Sequence, residues 1–256
     1  MEVTLTGGVT ESVDLLVGAD GVHSSVRQLA FGAPSRFTRQ LGYRMAAFIL
    51  DASPRELHTS AAFVTLTCPN RQVTVYPIRG GRLATFFLHK TRRPVQGALK
   101  EAACDELHRI YSDLGWVVPD LLAQCRTAHG IYFDAVEQVQ MPTWSTGRVV
   151  LVGDACQCVS PLAGQGASMA LAAGYVLAEE LDANGDVSRA LTRYEERLKP
   201  TIERQQQAGR RMARWFVPED EPHRIVRDLV TRMSTWPGVA GLLRRRMAAE
   251  SMLGRV

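Results

Sequence analysis

The stretch from Gly147 to Leu181, GRVVLVGDACQCVSPLAGQGASMALAAGYVLAEEL, constrains the fold more tightly than any other part of the chain. Its apolar run, Val149 to Val152, has no alternating polar residues, as expected of a strand buried on both faces inside a parallel α/β sheet. Gly153 and Asp154 end that run, a loop holding Pro161, Gly164 and Gly166 follows, and a long helix carries no charge before Glu179. A helix start bare of charged side chains leaves free N–H groups and the positive dipole end at Gly164, Gln165, Gly166 and Ala167, a potential anion site. Gly164 and Gly166 let the backbone approach a flat ligand closely, and Pro161 stiffens the approach. Asp154 stands where ligands of open α/β sheets sit, with a carboxylate that can accept hydrogen bonds from ligand hydroxyls. Alone, each feature is an ordinary loop or strand cap. Together and in this order, directly after an apolar strand, they point to a site.

GQGASM is not a dinucleotide fingerprint. It reads G-x-G-x-x-M, lies about ten residues beyond the strand, and no acid ends a second strand about twenty residues later.

The rest of the chain alternates in character. Val3 and Leu5, a Gly7-Gly8 turn, and then Val9, Val13, Leu15 and Leu16 predict a hairpin whose second strand continues as VDLLVGAD. Residues 24–31 predict a short helix with Ser24 as its N-cap. From Phe37 the segments YRMAAFILD, SAAFVTLTCP, RQVTVYPIRGG and RLATFFLHK read as successive antiparallel strands. Residues 95–115 and 118–125 have helical periodicity, and 131–142 return to strand. The helix after Gly166 is expected to stop near Asn184-Gly185, and Asp186 to cap a further helix running to Pro200. The expected fold class is therefore α/β (α+β). Residues 1–36 and 142–205 would form a nucleotide-type domain interrupted by a β-sheet substrate domain at 37–141, with C-terminal helices at 206–256.

With 46% hydrophobic and 22% charged residues among 256, the composition is that of a soluble globular protein. No membrane-span-length apolar run and no basic, apolar leader occur, so a cytoplasmic protein is expected. The five cysteines are odd in number and irregularly spaced, which predicts reduced thiols rather than a disulfide framework. Net charge is +4, but 27 of the 30 basic residues are arginine, and the clusters at 209–214 and 242–247 alternate with apolar residues at helical spacing. They read as solvated helix faces, not as a nucleic-acid surface. Cys156-x-Cys158 has no second ligand pair, so core thiols are expected there and no metal. The six histidines form no HxxxH or HExxH pattern, and no G-x-S-x-G elbow is present.

DLLVGADGVHSSVR (14–27) resembles the D-G-x-x-S-x-x-R motif of class A flavin-dependent monooxygenases, the aromatic hydroxylase (PHBH-like) type. GRVVLVGDACQCVSPLAGQG resembles the same family's G-D motif with its P-x-x-G-x-G flavin loop. The resemblance implies FAD as cofactor and NAD(P)H as co-substrate, with oxygen used to hydroxylate or epoxidise an aromatic or polyketide-like molecule. Asp154 would hydrogen-bond the ribityl chain, Gly164, Gln165 and Gly166 would lie along the pyrimidine side of the flavin ring, and Gly153, Pro161 and Ala167 would belong to the same cofactor site. Asp20, Gly21 and Arg27 would belong to the pyrophosphate-associated motif. Tyr43, Phe63, Tyr76 and Phe87 are candidates for the substrate lining, each also accounted for as sheet core.

The chain departs from the family in three ways. Members open with a βαβ unit carrying G-x-G-x-x-G that holds the ADP part of FAD, and no such unit is found here. A fragment or misassigned start, a second polypeptide that supplies the unit, and a short protein that no longer uses flavin are the three explanations. On the last, the chain would be a repurposed scaffold, a cofactor-independent enzyme or an accessory binding subunit. An apolar sheet edge left unpaired would call for a homo-oligomer or a partner chain. Second, Ala155-Cys156-Gln157 replaces the Ala-His that often follows Gly-Asp, with Gln157 still able to donate. Third, Ala172-Ala173-Gly174 replaces an acid that many members carry in the flavin helix.

Overall fold

The computed structural model describes residues 1–52, 54, 57, 63–91, 99–183 and 185–234. The basic cluster expected at 242–247 and the end of the C-terminal region lie outside these. The chain divides into two compact units: 1–45 with 91–99 and 133–213, and 46–90 with 100–132 and 214–256. The expected boundaries at 37 and 141 both fall within stretches of the first unit.

In the first unit, β1 (Glu2–Thr4) and β2 (Thr10–Ser12) form the expected antiparallel hairpin. Its second strand does not continue. β3 (Leu16–Gly18) leaves the hairpin and pairs parallel with β10 (Val149–Leu151), which pairs antiparallel with β9 (Ser145–Thr146). β10 is fully buried, in keeping with its uninterrupted apolar sequence. β3 lies at the end of this three-stranded sheet.

Helix α1 (Ser25–Phe31) follows β3 and is capped twice over. The Ser24 hydroxyl accepts the Arg27 amide, while the Asp20 carboxylate accepts the amides of Ser25 and Val26 and the Ser24 hydroxyl. Gly18 permits the close fit of α1 on the strands. A Cβ there would stand 2.6 Å from Leu151 Cδ2 and 2.8 Å from Val26 Cγ1.

After β10 come a single helical turn, α4 (Asp154–Gln157), a short 3₁₀ turn at Pro161–Ala163, and helix α5 (Gly166–Ala183). Asp186 then accepts the Ser188 amide at the start of α6 (Val187–Phe216). The expected stop at Pro200 does not occur. The buried stripe Leu191, Tyr194, Leu198, Ile202, Gln206 and Ala213 continues through it, and packing on both sides outweighs the roughly 3 kcal/mol an internal proline costs.

The second unit is built on the antiparallel strands β5 (Val64–Cys68), β6 (Arg71–Pro77) and β7 (Leu83–Lys90), with part of β4 (Thr38–Ile49). Together with β8 (Tyr132–Val139) the strand order is β5-β6-β7-β4-β8. One face of β7 meets α2 (Lys100–Tyr111). Phe87 stacks on Phe48 and meets Tyr111 edge-on, and the Tyr111 hydroxyl lies 3.3 Å from His89 Nδ1.

Helix α3 (Val118–Cys125) lies alongside α2, and Cys104 and Cys125 form a disulfide between them. This corrects the expectation of reduced thiols. Each cysteine sits in its helix's buried stripe, with Ala103 and Leu107 beside one and Leu121 and Leu122 beside the other. The pairing comes from helix packing, which linear spacing does not reveal. Cys68, Cys156 and Cys158 are free. The second unit also contains α7 (Glu221–Ser234), and no described helix is long and apolar enough to cross a membrane.

Candidate functional site

The parallel register of β3 and β10 brings the two sequence motifs together. Val152 donates its amide to Gly18 O at 2.9 Å, so Asp20 and Asp154 follow the carboxyl ends of adjacent parallel strands. That is where open α/β sheets bind ligands. Arg27 locks the two loops to each other. Its Nη1 donates to Ala155 O at 2.8 Å and its Nη2 to Val22 O at 2.7 Å. At 1% exposure the guanidinium holds the loops from behind and cannot itself touch a ligand. The Asp20 carboxylate is likewise occupied as the cap of α1. What this motif offers to solvent is the turn at Gly21, whose φ of 82° suits glycine and whose missing Cβ would meet nothing within 4 Å.

Asp154 is different. Gly153, at φ 63° and ψ −143°, turns the chain so that Asp154 opens α4 with its side chain exposed. Among the described residues no group donates a hydrogen bond to this carboxylate. Its Oδ1 stands 3.7 Å from where a Gly166 Cβ would be, so it faces the start of α5. Desolvation by the surrounding protein raises its pKa above the usual 3.8.

The opposite lip is made of backbone. Gly164 is left-handed at φ 65° with open space beside it. Met169 donates to Gln165 O, whereas the amides of Gly166, Ala167 and Ser168 find no acceptor among the described residues. Pro161 and Gln165 are exposed at the rim. Ser160, at φ 89°, caps the 3₁₀ turn by accepting the Leu162 amide at 3.2 Å. This strained residue beside the mouth was missed in the sequence, which carries no glycine there to announce it. The candidate slot is thus an exposed carboxylate directly beside a helix start whose first three amides find no acceptor among the described residues.

Gln157 takes no part in the slot. It is 2% exposed, and its amide donates to the Tyr194 hydroxyl at 2.7 Å, which in turn donates to Leu151 O. Cys156 donates to Leu151 O and Cys158 to Glu137 O. Burial raises the pKa of both thiols, that of Cys158 to about 12, so they remain protonated core donors.

The four aromatic candidates do not converge. Tyr43 is buried in the first unit. Phe87 is opposite Val73 while Tyr76 is opposite Ala84, and Val73 and Tyr76 are an odd number of residues apart. Phe87 and Tyr76 therefore lie on opposite faces of the sheet. Phe87 belongs to the face under α2. Tyr76 stacks on Phe63, itself 72% exposed, with ring centroids 5.1 Å apart. Beside this pair on the same face runs a polar ladder in which Thr65 meets Thr74 and Gln72 donates to Thr74.

Adjacent parallel strand ends, a glycine-opened helix start and a free carboxylate, joined to an antiparallel sheet, define the PHBH-like flavoprotein class. Residues 5–208 match the profile of the FAD binding domain family, and the chain belongs to that family.

It is 35% identical over 246 residues to an uncharacterised protein of Mycobacterium tuberculosis, covering 91% of this chain and 63% of that one. A flavin-dependent monooxygenase of Legionella longbeachae is 32% identical over 222 residues, covering 86% of this chain and 56% of its own. The crystal structure of the tetracycline destructase Tet(55) superposes with a TM-score of 0.78 at 29% identity, covering 95% of this chain and 63% of that one. The chain thus spans less than two thirds of the length of each of these relatives.

Proposed function

We propose that this chain carries the flavin-ring and substrate-binding parts of an NAD(P)H- and oxygen-dependent monooxygenase. Its substrate would be an aromatic or polyketide-like small molecule that is hydroxylated or epoxidised, in the cytoplasm where NAD(P)H is made. The observation that carries this reading is the slot itself: an undonated Asp154 carboxylate set against the free amides of Gly166, Ala167 and Ser168.

The residues fit FAD. Asp154 would accept hydrogen bonds from ribityl hydroxyls. The amides and dipole end of α5 would favour negative charge on the ring edge beside Gly164 and Gln165. Bound FAD supplies the redox chemistry, so no acid–base pair is required of the protein. The face bearing Phe63 and Tyr76, with its threonine and glutamine ladder, has the mix of flat apolar and polar groups suited to an oxygenated aromatic substrate.

The ADP half of FAD would be held by a further segment or a partner chain docked on the free edge of β3, where Val17 is 44% exposed. A second copy of this chain is the alternative occupant of that edge.

Titration of the purified chain with FAD, followed by flavin fluorescence and visible absorbance, tests the proposal. Saturable binding is expected, weakened at least tenfold in Asp154→Ala. A chain that remains colourless and ignores FAD and NAD(P)H would instead be a non-redox scaffold. Unchanged affinity in Asp154→Ala would remove the ribityl assignment.

A further inference from the structure

A second set of side chains, sharing no residue with the slot, is assembled like a ligand sphere. His23 lies in the loop before α1, and its two ring nitrogens face two carboxylates of β8. Nε2 is 2.9 Å from Asp134 Oδ2, and Nδ1 is 3.9 Å from Glu137 Oε1. One ligand atom from each of the three residues lies within 4.8 Å of the others. All three belong to the same compact unit, although 111 residues separate His23 from Asp134. The fold, not chain proximity, brings them together.

Glu137 is the residue that asks for a ligand. Its side chain is only 9% exposed, and among the described residues no group donates a hydrogen bond to its carboxylate. Its approach to His23 is too long to be a hydrogen bond. A carboxylate so little exposed, with no donor and only a sliver of its oxygens open to solvent, is costly to hold charged. Asp134, at 12% side-chain exposure, adds a second acid, with Oδ1 accepting the Ala135 amide and Oδ2 turned to the imidazole. The neighbouring guanidinium of Arg27 is committed to the carbonyls of Val22 and Ala155 and bonds neither acid. An imidazolium alone would satisfy Asp134 and leave Glu137 unmatched.

We propose that His23, Asp134 and Glu137 bind one divalent transition-metal cation, Zn²⁺ in preference to Mn²⁺. One imidazole nitrogen and two carboxylate oxygens suit a borderline cation, and such mixed sets bind Zn²⁺ more tightly than Mn²⁺. Bond lengths of about 2.0–2.2 Å place tetrahedral ligand atoms roughly 3.3–3.6 Å apart. The set closes to that size when the His23 ring, 64% exposed, turns inward. The two carboxylates balance the charge of the ion. The exposed histidine provides the entry path and leaves a fourth position for water or a ligand oxygen.

The test is independent of flavin. Zn²⁺ is titrated calorimetrically into the EDTA-treated full chain, alongside His23→Ala and Glu137→Gln. One ion per chain is expected, together with a higher Tm, and each substitution should weaken binding at least tenfold. His23→Ala alters an exposed side chain and decides the matter should Glu137→Gln not fold. Co²⁺ in place of Zn²⁺ should give visible d–d bands without a near-ultraviolet thiolate band. Failure of Zn²⁺ to bind, equal affinity in the variants, or a thiolate band pointing to Cys68, Cys156 or Cys158 would each overturn the assignment.

Discussion

The surroundings of Asp154 disfavour its charged form, and that has a measurable sign. Partial desolvation by the neighbouring protein raises its folded-state pKa above the unfolded 3.8, so the folded protein holds the proton longer than the unfolded chain does. Stability therefore falls as pH rises from 3.8 through the raised value and stays lower above it. Asp154→Asn should raise Tm at neutral pH, with the gain shrinking to nothing as pH falls toward 3.8 and below. A Tm gain that did not vary with pH would contradict this account. Gly153 is the complementary case: its φ of 63° and ψ of −143° lie in a region open essentially to glycine, and a Cβ would stand 3.1 Å from Ala170 Cβ. Gly153→Ala should cost about 1–3 kcal/mol in urea unfolding, since strain and crowding act together. The sequence carried the place of Asp154, because strand, glycine and acid are local. It did not carry the roles of Asp20 and Arg27, whose side chains are used internally by contacts that only the folded loops create.

At the scale of elements, period and punctuation located most helices and strands, and the misses share one cause. The helix through Pro200, the split of the first hairpin's second strand onto β10, and the opposite faces taken by Tyr76 and Phe87 are all decided by tertiary packing. The Cys104–Cys125 bridge belongs with them. It closes a loop with a sequence separation of 21, which corresponds to about 3 kcal/mol in the chain-entropy account. Cys104→Ser with Cys125→Ser should lower unfolding free energy by roughly that amount with little change in fold. Alkylation of oxidised, denatured protein without reductant should label Cys68, Cys156 and Cys158 only. Reductant converts the same two residues to thiols, so the comparison needs protein prepared with and without it.

At the scale of the whole molecule, the first unit shows a set of surfaces that a lone soluble chain rarely keeps. β3 ends its sheet with Val17 44% exposed, Leu29 on α1 is 87% exposed, and α5 presents Leu171 at 78% and Tyr175 at 60%. An open strand edge invites pairing, and exposed large apolar side chains mark interaction surfaces. The two features make one expectation under the proposed function: this unit associates through the β3 edge and the outer face of α5. Sedimentation velocity of the purified chain should then show self-association, and Val17→Lys combined with Leu171→Glu should shift it toward monomer. The two positions differ in what they report. Val17→Lys blocks edge pairing but leaves the slot at Asp154 intact, so FAD affinity measured on the monomeric variant separates association from cofactor binding. If association were needed to complete the flavin site, FAD affinity would fall along with it, even though neither residue lies among those facing the slot. A chain that stays monomeric at high concentration, with both positions unsubstituted, would rule out a second copy on the β3 edge and leave a further segment or a partner chain as its occupant.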